Sequence, residues 1–507
     1  MSGLFGTFNV AVKGLNANQT ALHTTSHNIS NANTEGFSRQ RVELKTDTPY
    51  NLSGVGQLGT GVRLQSVVRV VDEFVDYQIR KESTTLSQYS AQQDIMSQIE
   101  MIFNEPSDTG VNFAMGEMFN AWQELSKNPE SLNAKSMVVQ KSKNFTDTLN
   151  HMSTQAQELK GDVVASVEKN IYDANSILDQ LNTVNDQIFN ISVKGHSPND
   201  LMDTRDLLLK NLSGLSEISE SYDSYGRVSV EIDGQTVTGK ENEENRLSTI
   251  AAITVNKDGE YSARIHIGGD SNNSIEHTLS EADLEKFQVG APVFYKMSSE
   301  EGVPGELTAV NIQSGTIGGN LAAMNEVDAR IEDLNTFAEG TAEMFNSIHN
   351  HAAEGTVDFF TFKDGSASAL NIRVNDEIVA DESMVATGAN LNSPAGDGSR
   401  ALEIANLRNR KFDFSQMEFS AAGTTMEGAY GDIVIKVGIR GEHAANMVEN
   451  QSAVLAQLSN RRESVSGVSI DEEVTNLLKY QRSYEANSRV INTLNEMLDT
   501  LINRTGV

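Results

Sequence analysis

The histidines offer the first candidate chemistry. His23 and His27 stand four apart, the spacing by which one helix face presents two imidazoles to zinc. A metalloprotease of that kind places a glutamate directly after the first histidine; Thr24 stands there, and no third ligand is evident. His349-Asn350-His351 has the look of a nuclease fragment but lacks the rest of any such signature. Gly54-x-Gly56-x-x-Gly59 matches the dinucleotide fingerprint, which needs a buried strand before it and a helix after it. Here DTPYNLS precedes, and GVRLQSVVRV alternates like a strand, so a glycine-rich loop is expected instead. Serines are plentiful, but no Gly-x-Ser-x-Gly elbow marks a nucleophile. Triplets such as Asn144-Phe145-Thr146 are common by chance in a chain rich in those residues. The chain has no cysteine, which excludes thiol nucleophiles, thiolate metal sites and disulfides. Its many carboxylates show no spacing that selects a catalytic pair. No catalytic, cofactor or metal constellation is expected, and the chain reads as a non-enzyme.

Charge narrows the function further. The 39 Lys and Arg stand against 70 Asp and Glu, a net −31, which opposes nucleic-acid binding. Residues 1–45 carry a net +2 and residues 463–507 a net −3, so −30 lies between them. The acidity thus belongs to the middle, and the ends are left free to pack closely. No apolar run approaches the length of a membrane span, and the start lacks the basic and apolar parts of a cleaved leader.

The elements come next. Length alone predicts about three domains. At the N-terminus Phe8, Leu15, Leu22 and Ile29 recur every seven residues, with Phe5, Val12, Gln19 and Ser26 on the second seam. That helix should stop near residue 30, where NISNANTEG begins. Ile470, Leu477, Tyr484, Ile491 and Leu498 repeat the pattern at the C-terminus, with Val474, Gln481, Ser488, Asn495 and Ile502 on the second seam. Gln and Ser fill the same slots in both segments, and Val490, Leu494, Met497 and Leu501 widen the C-terminal face beyond one partner. Ser469 before Asp471-Glu472-Glu473 makes a helix start.

Between the ends, apolar residues at 3- and 4-residue steps run from Phe145 to Ile191 with one stutter near 163–171. As one helix this would be about 70 Å long. Helices are also expected over 72–103, 112–127, 199–214, 321–352, 399–408 and 443–464, packing as a bundle with Trp122 in its core. Residues 222–317 read as β-rich, with hairpin turns at Asp233-Gly234 and Asp258-Gly259, while GTVDFFTFKDG and GDIVIKVGIRG also look strand-like.

The expected architecture is mainly α with a β-rich insert, elongated and multi-domain. Terminal heptad helices pair over 1–45 plus 465–507. A discontinuous long-helix rod spans 46–215 plus 318–464, and a β-rich outer domain is inserted at 216–317. The two ends could simply close the fold. The polar seam residues Gln19, Ser26, Gln481 and Ser488 favour assembly elements instead, completed by neighbouring copies. The interface would then be Phe8, Val12, Leu15, Leu22, Ile29, Ile470, Val474, Leu477, Tyr484, Ile491, Leu498 and Ile502.

Specific stretches now carry a resemblance. ALHTTSHNISNANTEGFSRQRV (21–42), GTGVRLQSVVRVVDEFVDYQ (59–78) and SGVSIDEEVTNLLKYQRSYEANSRVINTLNEMLDTLIN (466–503) resemble the shared segments of the bacterial flagellar rod and hook axial proteins. Ser38-Arg39-Gln40, with FNAWQELSKNPES (119–131), NDLMDTRDLLLKNLS (199–213), SGTIGGNLAAMNEVD (314–328) and GDGSRALEIANL (396–407), is similar to the hook-associated branch. The resemblance leaves out the β insert and part of 355–395. Its signature positions are Asn28, Asn31, Asn33, Thr34, Gly36, Phe37, Ser38, Arg39, Gln40, Gln481, Tyr484 and Asn487; Glu35 stands where the family often has proline.

The resemblance implies an extracellular ring at the hook–filament junction, exported unfolded through the flagellar type III channel without a cleaved signal. It implies as partners its own copies, the flagellar hook protein, hook-associated protein 3 and a cytoplasmic export chaperone on the C-terminal segment. A sibling hook or distal-rod subunit, a wall-acting enzyme or an adhesin are the competing readings. The terminal segments are expected to be poorly ordered until neighbours cover them.

Overall fold

A computed structural model of the chain describes all residues except 1–3, 53, 55, 104, 106, 240–244, 256–259, 297–304, 351–355, 364, 391 and 505–507. Its first element is α1 (Leu4–Ser30), which stops at the turn formers as expected. Two antiparallel ribbons follow: β1 (Gln40–Thr46) with β4 (Val62–Arg69), and between them β2 (Tyr50–Leu52) with β3 (Gly56–Leu58). Four helices come next: α2 (Glu73–Phe103), α3 (Val111–Lys127), α4 (Leu132–Ser192) and α5 (Asn199–Leu215).

The axis of the rod is α4, 61 residues long and so about 90 Å at 1.5 Å per residue. It begins at residue 132, earlier than the apolar pattern predicts, because Ser131 caps it: the Ser131 Oγ accepts from the Ala134 amide at 3.3 Å. The stutter near 163–171 has a structural meaning. Up to Val163 the buried stripe of α4 lies in a core shared with α2, α3 and the helix α6 (Gly315–His349); from Val167 it lies in a second core with α5 and the insert. The shift in apolar spacing is where one helix changes partners.

The insert holds a three-stranded sheet, β5 (Ser219–Tyr222), β6 (Val228–Ile232) and β7 (Gln235–Thr236). Asp233 and Gly234 take φ of 49° and 73°, the left-handed pair of a tight hairpin turn, as the sequence signals. A five-stranded antiparallel sheet follows, built from β8 (Leu247–Val255), β9 (Tyr261–His266), β10 (Ser274–Leu279), β11 (Pro292–Lys296) and β12 (Glu306–Ala309) in the order β10-β9-β8-β11-β12. The turn expected at Asp258-Gly259 lies outside the described residues; its flanks pair from Val255↔Tyr261 to Thr249↔His266. Val228, Val230, Ile232, Leu247 and Phe294 share a core with α4 and α5, while Ile250, Ile265, Phe287 and Val293 form a smaller core of the sheet's own. Asn185 fastens β6 to α4: its Nδ2 donates to the Val228 carbonyl and its Oδ1 accepts from the Val228 amide.

After α6 come β13 (Phe360–Phe362) paired with β14 (Ile372–Val374), α7 (Asp376–Ala380), α8 (Ser399–Asn406), β15 (Phe412–Asp413) paired with β16 (Glu418–Phe419), α9 (Met426–Ser466) and α10 (Ile470–Asp499). One expectation fails here. GDIVIKVGIRG (431–441) is not a strand but part of α9. Its β-branched residues suggest β, yet Met426, Tyr430, Ile433 and Val437 recur at helical steps and bury against α2 and α6. Packing overrides intrinsic preference. Helix α6 also begins six residues before its apolar pattern. Gly319 lets the backbones of α6 and α2 approach, for a Cβ there would sit 2.3 Å from the Gln88 carbonyl oxygen.

Trp122 is fully buried between Phe345 and Phe359, as core packing requires. His349 is buried beside it. Its Nδ1 lies 2.8 Å from the Val357 carbonyl and its Nε2 accepts from the Ala386 amide, so the ring is neutral and structural. Burial lowers its pKa to about 4. His351 lies outside the described residues.

Candidate assembly interface

Helices α1 and α10 pack antiparallel, with Asn28 beside Glu473 at one end and Gly14 against Asn487 at the other. The deepest row on α1 is made of small and polar residues: Ala11, Ala17, Ala21, Thr25 and Asn28. A Cβ on Gly14 would lie 2.9 Å from the Asn487 Oδ1, so the two helices approach closely there. The apolar seam read from the sequence is only half covered. Phe8, Val12, Leu15, Leu22, Ile29, Leu477, Tyr484, Ile491 and Leu498 are half-buried. Ile470, Val474 and Ile502 are 51%, 43% and 71% exposed, as are large parts of Leu478, Val490, Met497 and Leu501. One chain therefore leaves an apolar stripe of α10 in water. Gln481 faces solvent, and its Nε2 donates to Glu485 on its own helix. The Asn487 Nδ2 donates to the Ser483 carbonyl.

The signature residues 28–40 form a polar joint at the root of this helix pair. Asn28 is 1% exposed. Its Oδ1 accepts from the Gln40 amide at 3.0 Å, and its Nδ2 donates to the Gln40 carbonyl at 2.9 Å and to Glu473 at 3.1 Å. Arg39 spans to α10, with Nε on Glu473 and Nη2 on Glu472, both at 2.8 Å, while its amide donates to the Ser466 carbonyl. Burial works to lower the Arg39 pKa, but its two glutamates outweigh it and the net shift is upward.

The same turn is tied to α5. The Ser38 amide donates to Asp203, the Gln40 side chain donates to Asp200, and Asn199 donates to both Gln40 and the Val67 carbonyl. Arg69, from the end of β4, pairs with Asp203 and Asp206. Burial raises the Asp203 pKa, with Arg69 and Ser38 pulling it back.

The turn itself is locally braced. The Asn31 Nδ2 donates to the His27 carbonyl, the Thr34 hydroxyl to Asn31, and the Phe37 amide to the Thr34 carbonyl. Phe37 meets the His27 ring edge-on at 5.4 Å. Gly36 takes φ +81° and packs on Leu207, where a Cβ would be strained. Asn33 is exposed. Glu35, the atypical residue, accepts from Lys210.

Sequence reading brought the two helices together but missed the joint's other half: Glu473, Arg69, Asn199, Asp200 and Asp203. On α5, Asn199 and Asp203 stand four apart on a face turned away from the Leu208–Leu212 stripe, which continues back through Arg205 and Leu201, so apolar periodicity carried no sign of the joint.

The catalytic candidates disperse. His23 is exposed, and His27 lies 3.2 Å from Asp200 and beside Asn31. Among the described residues no group of three His, Asp or Glu is placed to hold a metal. The Gly54–Gly59 run lies in and after the β2–β3 hairpin rather than before a helix.

Comparison with known proteins agrees with this layout. The family model described as "Flagellar hook-associated protein FlgK helical domain" matches residues 96–284. Residues 8–37 match "Flagella basal body rod protein", and 462–504 match "Flagellar basal body rod FlgEFG protein C-terminal". Flagellar hook-associated protein 1 of Bacillus subtilis (strain 168) is 30% identical over 537 residues, covering 100% of this chain and 99% of the relative. Its counterpart in Escherichia coli (strain K12) is 24% identical, covering 98% and 99%. Among solved structures, the flagellar hook junction protein FlgK from Burkholderia pseudomallei is similar with a TM-score of 0.56 at 14% identity, covering 77% of this chain and all of that one.

Proposed function

Since this chain belongs to the flagellar hook-associated protein 1 family, a structural component of the flagellum, we propose that it polymerises through α1 and α10 into a short ring at the hook–filament junction. The ring adapts the bendable hook to the stiff filament. The observation that carries this reading is the apolar stripe of α10, exposed in one chain while the root of the same helix is locked to the rod by a buried polar joint. A stripe held at fixed orientation and left uncovered is what a register-specific lattice needs.

In this reading residues 1–45 and 465–507 line the inner tube, the rod of 46–215 and 318–464 surrounds it, and 216–317 lies outermost. The acidic middle faces solvent. Its partners are its own copies, the hook protein on one side and hook-associated protein 3 on the other, with an export chaperone covering the C-terminal segment beforehand. The chain is extracellular and leaves the cell through the flagellar export channel; no helix among the described residues is long and apolar enough to cross a membrane.

Adding purified chain to isolated hooks that lack a filament tests this. A junction subunit adds a limited ring and stops. Continued growth of the hook would assign the chain to its hook or rod siblings instead.

A further inference from the structure

The stripe that α10 leaves in water winds around the helix. Ile470, Val474, Leu478, Arg482, Ala486 and Val490 follow one another along it at four-residue steps. Four residues are slightly more than one turn, so each step drifts by about 40°. Glu473 and Asn487 mark the side turned to α1. Ile470, Val474 and Leu478, between 43% and 51% exposed, lie about a third of a turn to one side of it. Ala486, Val490 and Met497, all exposed, lie about a quarter turn to the other. Exposed Arg482 interrupts the stripe between them. One helix thus carries a root flank and a distal flank, facing nearly opposite ways and centred about 17 residues, or about 25 Å, apart.

Copies in a ring or tube all point the same way along its axis, so each copy shows one flank to each neighbour. Level packing mismatches both. The root flank would meet Glu472, Thr475 and Lys479 of one neighbour, and the distal flank would meet Glu485 and Asn492 of the other, all of them exposed and polar. The first helix offers no better cover: from Asn16 onward its exposed residues are Asn16, Gln19, His23, Ser26 and Ser30. An offset that sets Val474 beside Val490 brings apolar against apolar along the whole contact. It also sets Asp471, on the edge of the root flank, beside Arg489, on the matching edge of the distal flank. Both are exposed, and neither is ion-paired among the described residues.

We infer that the Ile470–Val474–Leu478 flank of one copy packs on the Ala486–Val490–Met497 flank of the next, with the two copies offset by about 25 Å along the assembly axis. The apolar rows supply the contact, and the Asp471–Arg489 pair fixes its register. Two different patches meet, so the contact is head-to-tail and passes from copy to copy without using itself up. This rests on reading the chain as a polymerising subunit, and adds which faces meet and at what offset.

The chain's lack of cysteine makes a clean test possible. Two single-cysteine forms, Val474→Cys and Val490→Cys, are co-expressed in the native cell, and isolated junctions are treated with a short bismaleimide. The expected product is a dimer that needs both forms, with none from either form alone. A second measurement uses charge. Asp471→Arg or Arg489→Asp, as the cell's only copy, should each cut the chain retained in isolated flagella at least threefold, and the two changes together should restore most of it. Within one chain these residues are about 27 Å apart along α10, so the rescue acts only between copies. Dimers from Val474→Cys alone place the copies level and overturn the inference, as does a double change no better than the worse single one. Junctions that form normally yet give no mixed dimer, or cross-link only to a different flagellar protein, overturn it too while leaving the assembly reading intact. An unaltered chain that never appears in the flagellum counts instead against the assembly reading itself.

Discussion

Replacing Asn28 with alanine should loosen the root of the terminal helix pair by about a hundredfold. The side chain makes three hydrogen bonds in a site with almost no solvent: one from the Gln40 amide, one to the Gln40 carbonyl and one to Glu473. Alanine leaves both Gln40 groups unpaired, each costing about 1 kcal/mol or more, and removes a donor from a buried carboxylate for about 1 kcal/mol further. The sum, about 3 kcal/mol, corresponds to roughly two decades in the opening equilibrium at 1.4 kcal/mol per decade. Amide exchange should be read not at Gln40, which loses its own acceptor, but at neighbours that keep theirs. The Arg39 amide bonded to Ser466, the Glu473 amide bonded to Ser469 and the Val70 amide bonded to Arg39 are suitable. All three should exchange about a hundredfold faster if the joint opens as a unit. Asn28→Asp should be worse, since it keeps the acceptor for the Gln40 amide but faces Glu473 with a like charge. Exposed Gln481→Ala serves as the control and should change nothing measurable. Exchange at these amides within threefold of the unaltered chain would refute the claim that Asn28 holds the joint.

Three further outcomes are expected. Leu477→Asp with Ile491→Asp should abolish incorporation into the flagellum while the rod stays folded, reported by the emission of the lone buried Trp122; normal junctions would refute the assembly role of α10. In the free chain, amide protection along α1 and α10 should be strong near Asn28 and Glu473 and fade over 5–15 and 488–502, where apolar faces lack partners; uniform strong protection across 5–30 and 470–502 would contradict this. His349 should make stability pH-dependent. Its pKa is depressed from about 6.5 when unfolded to about 4 when folded, so the unfolded chain binds the extra proton. The stabilisation is complete above pH 6.5 and is lost as pH falls toward 4, by about 3 kcal/mol at 1.36 kcal/mol per pKa unit. The stability gap between the unaltered chain and His349→Gln, measured by urea unfolding, should narrow over that window; a constant gap would show that His349 is not buried in its neutral form.

Periodicity revealed the elements it governs. The heptads of α1 and α10, the stripe of α4 and the β6–β7 turn were all legible because their spacing is set by local geometry. The 431–441 stretch misled because β-branched residues pack well on a helix when a neighbouring helix supplies the groove. The polar joint was illegible for a different reason. Asn28, Arg39, Asp203 and Glu473 become one site only when four separate segments meet, and hydrogen-bond complementarity across such distances leaves no periodic trace. What the sequence showed of the joint was family resemblance at Asn28, Ser38, Arg39 and Gln40, without the reason for it. The small-residue row Ala11, Ala17, Ala21 and Thr25 was hidden as well, because apolar counting favours the larger side chains beside it.

The hydrogen bond between Asn28 and Glu473 joins residues 445 positions apart. Nothing made earlier than Glu473 can substitute for it, so this contact belongs to the last part of folding, after the rod has brought its two ends near each other. A chain cut short between the end of α9 and residue 470 still holds α2 to α5, the insert and the whole of the main core. It cannot build the joint, and its first helix remains without a partner. In the assembly proposed above, attachment through α1 and α10 is therefore conditional on the segment that carries Glu473. A defective copy is excluded by its own geometry rather than by a separate inspection step.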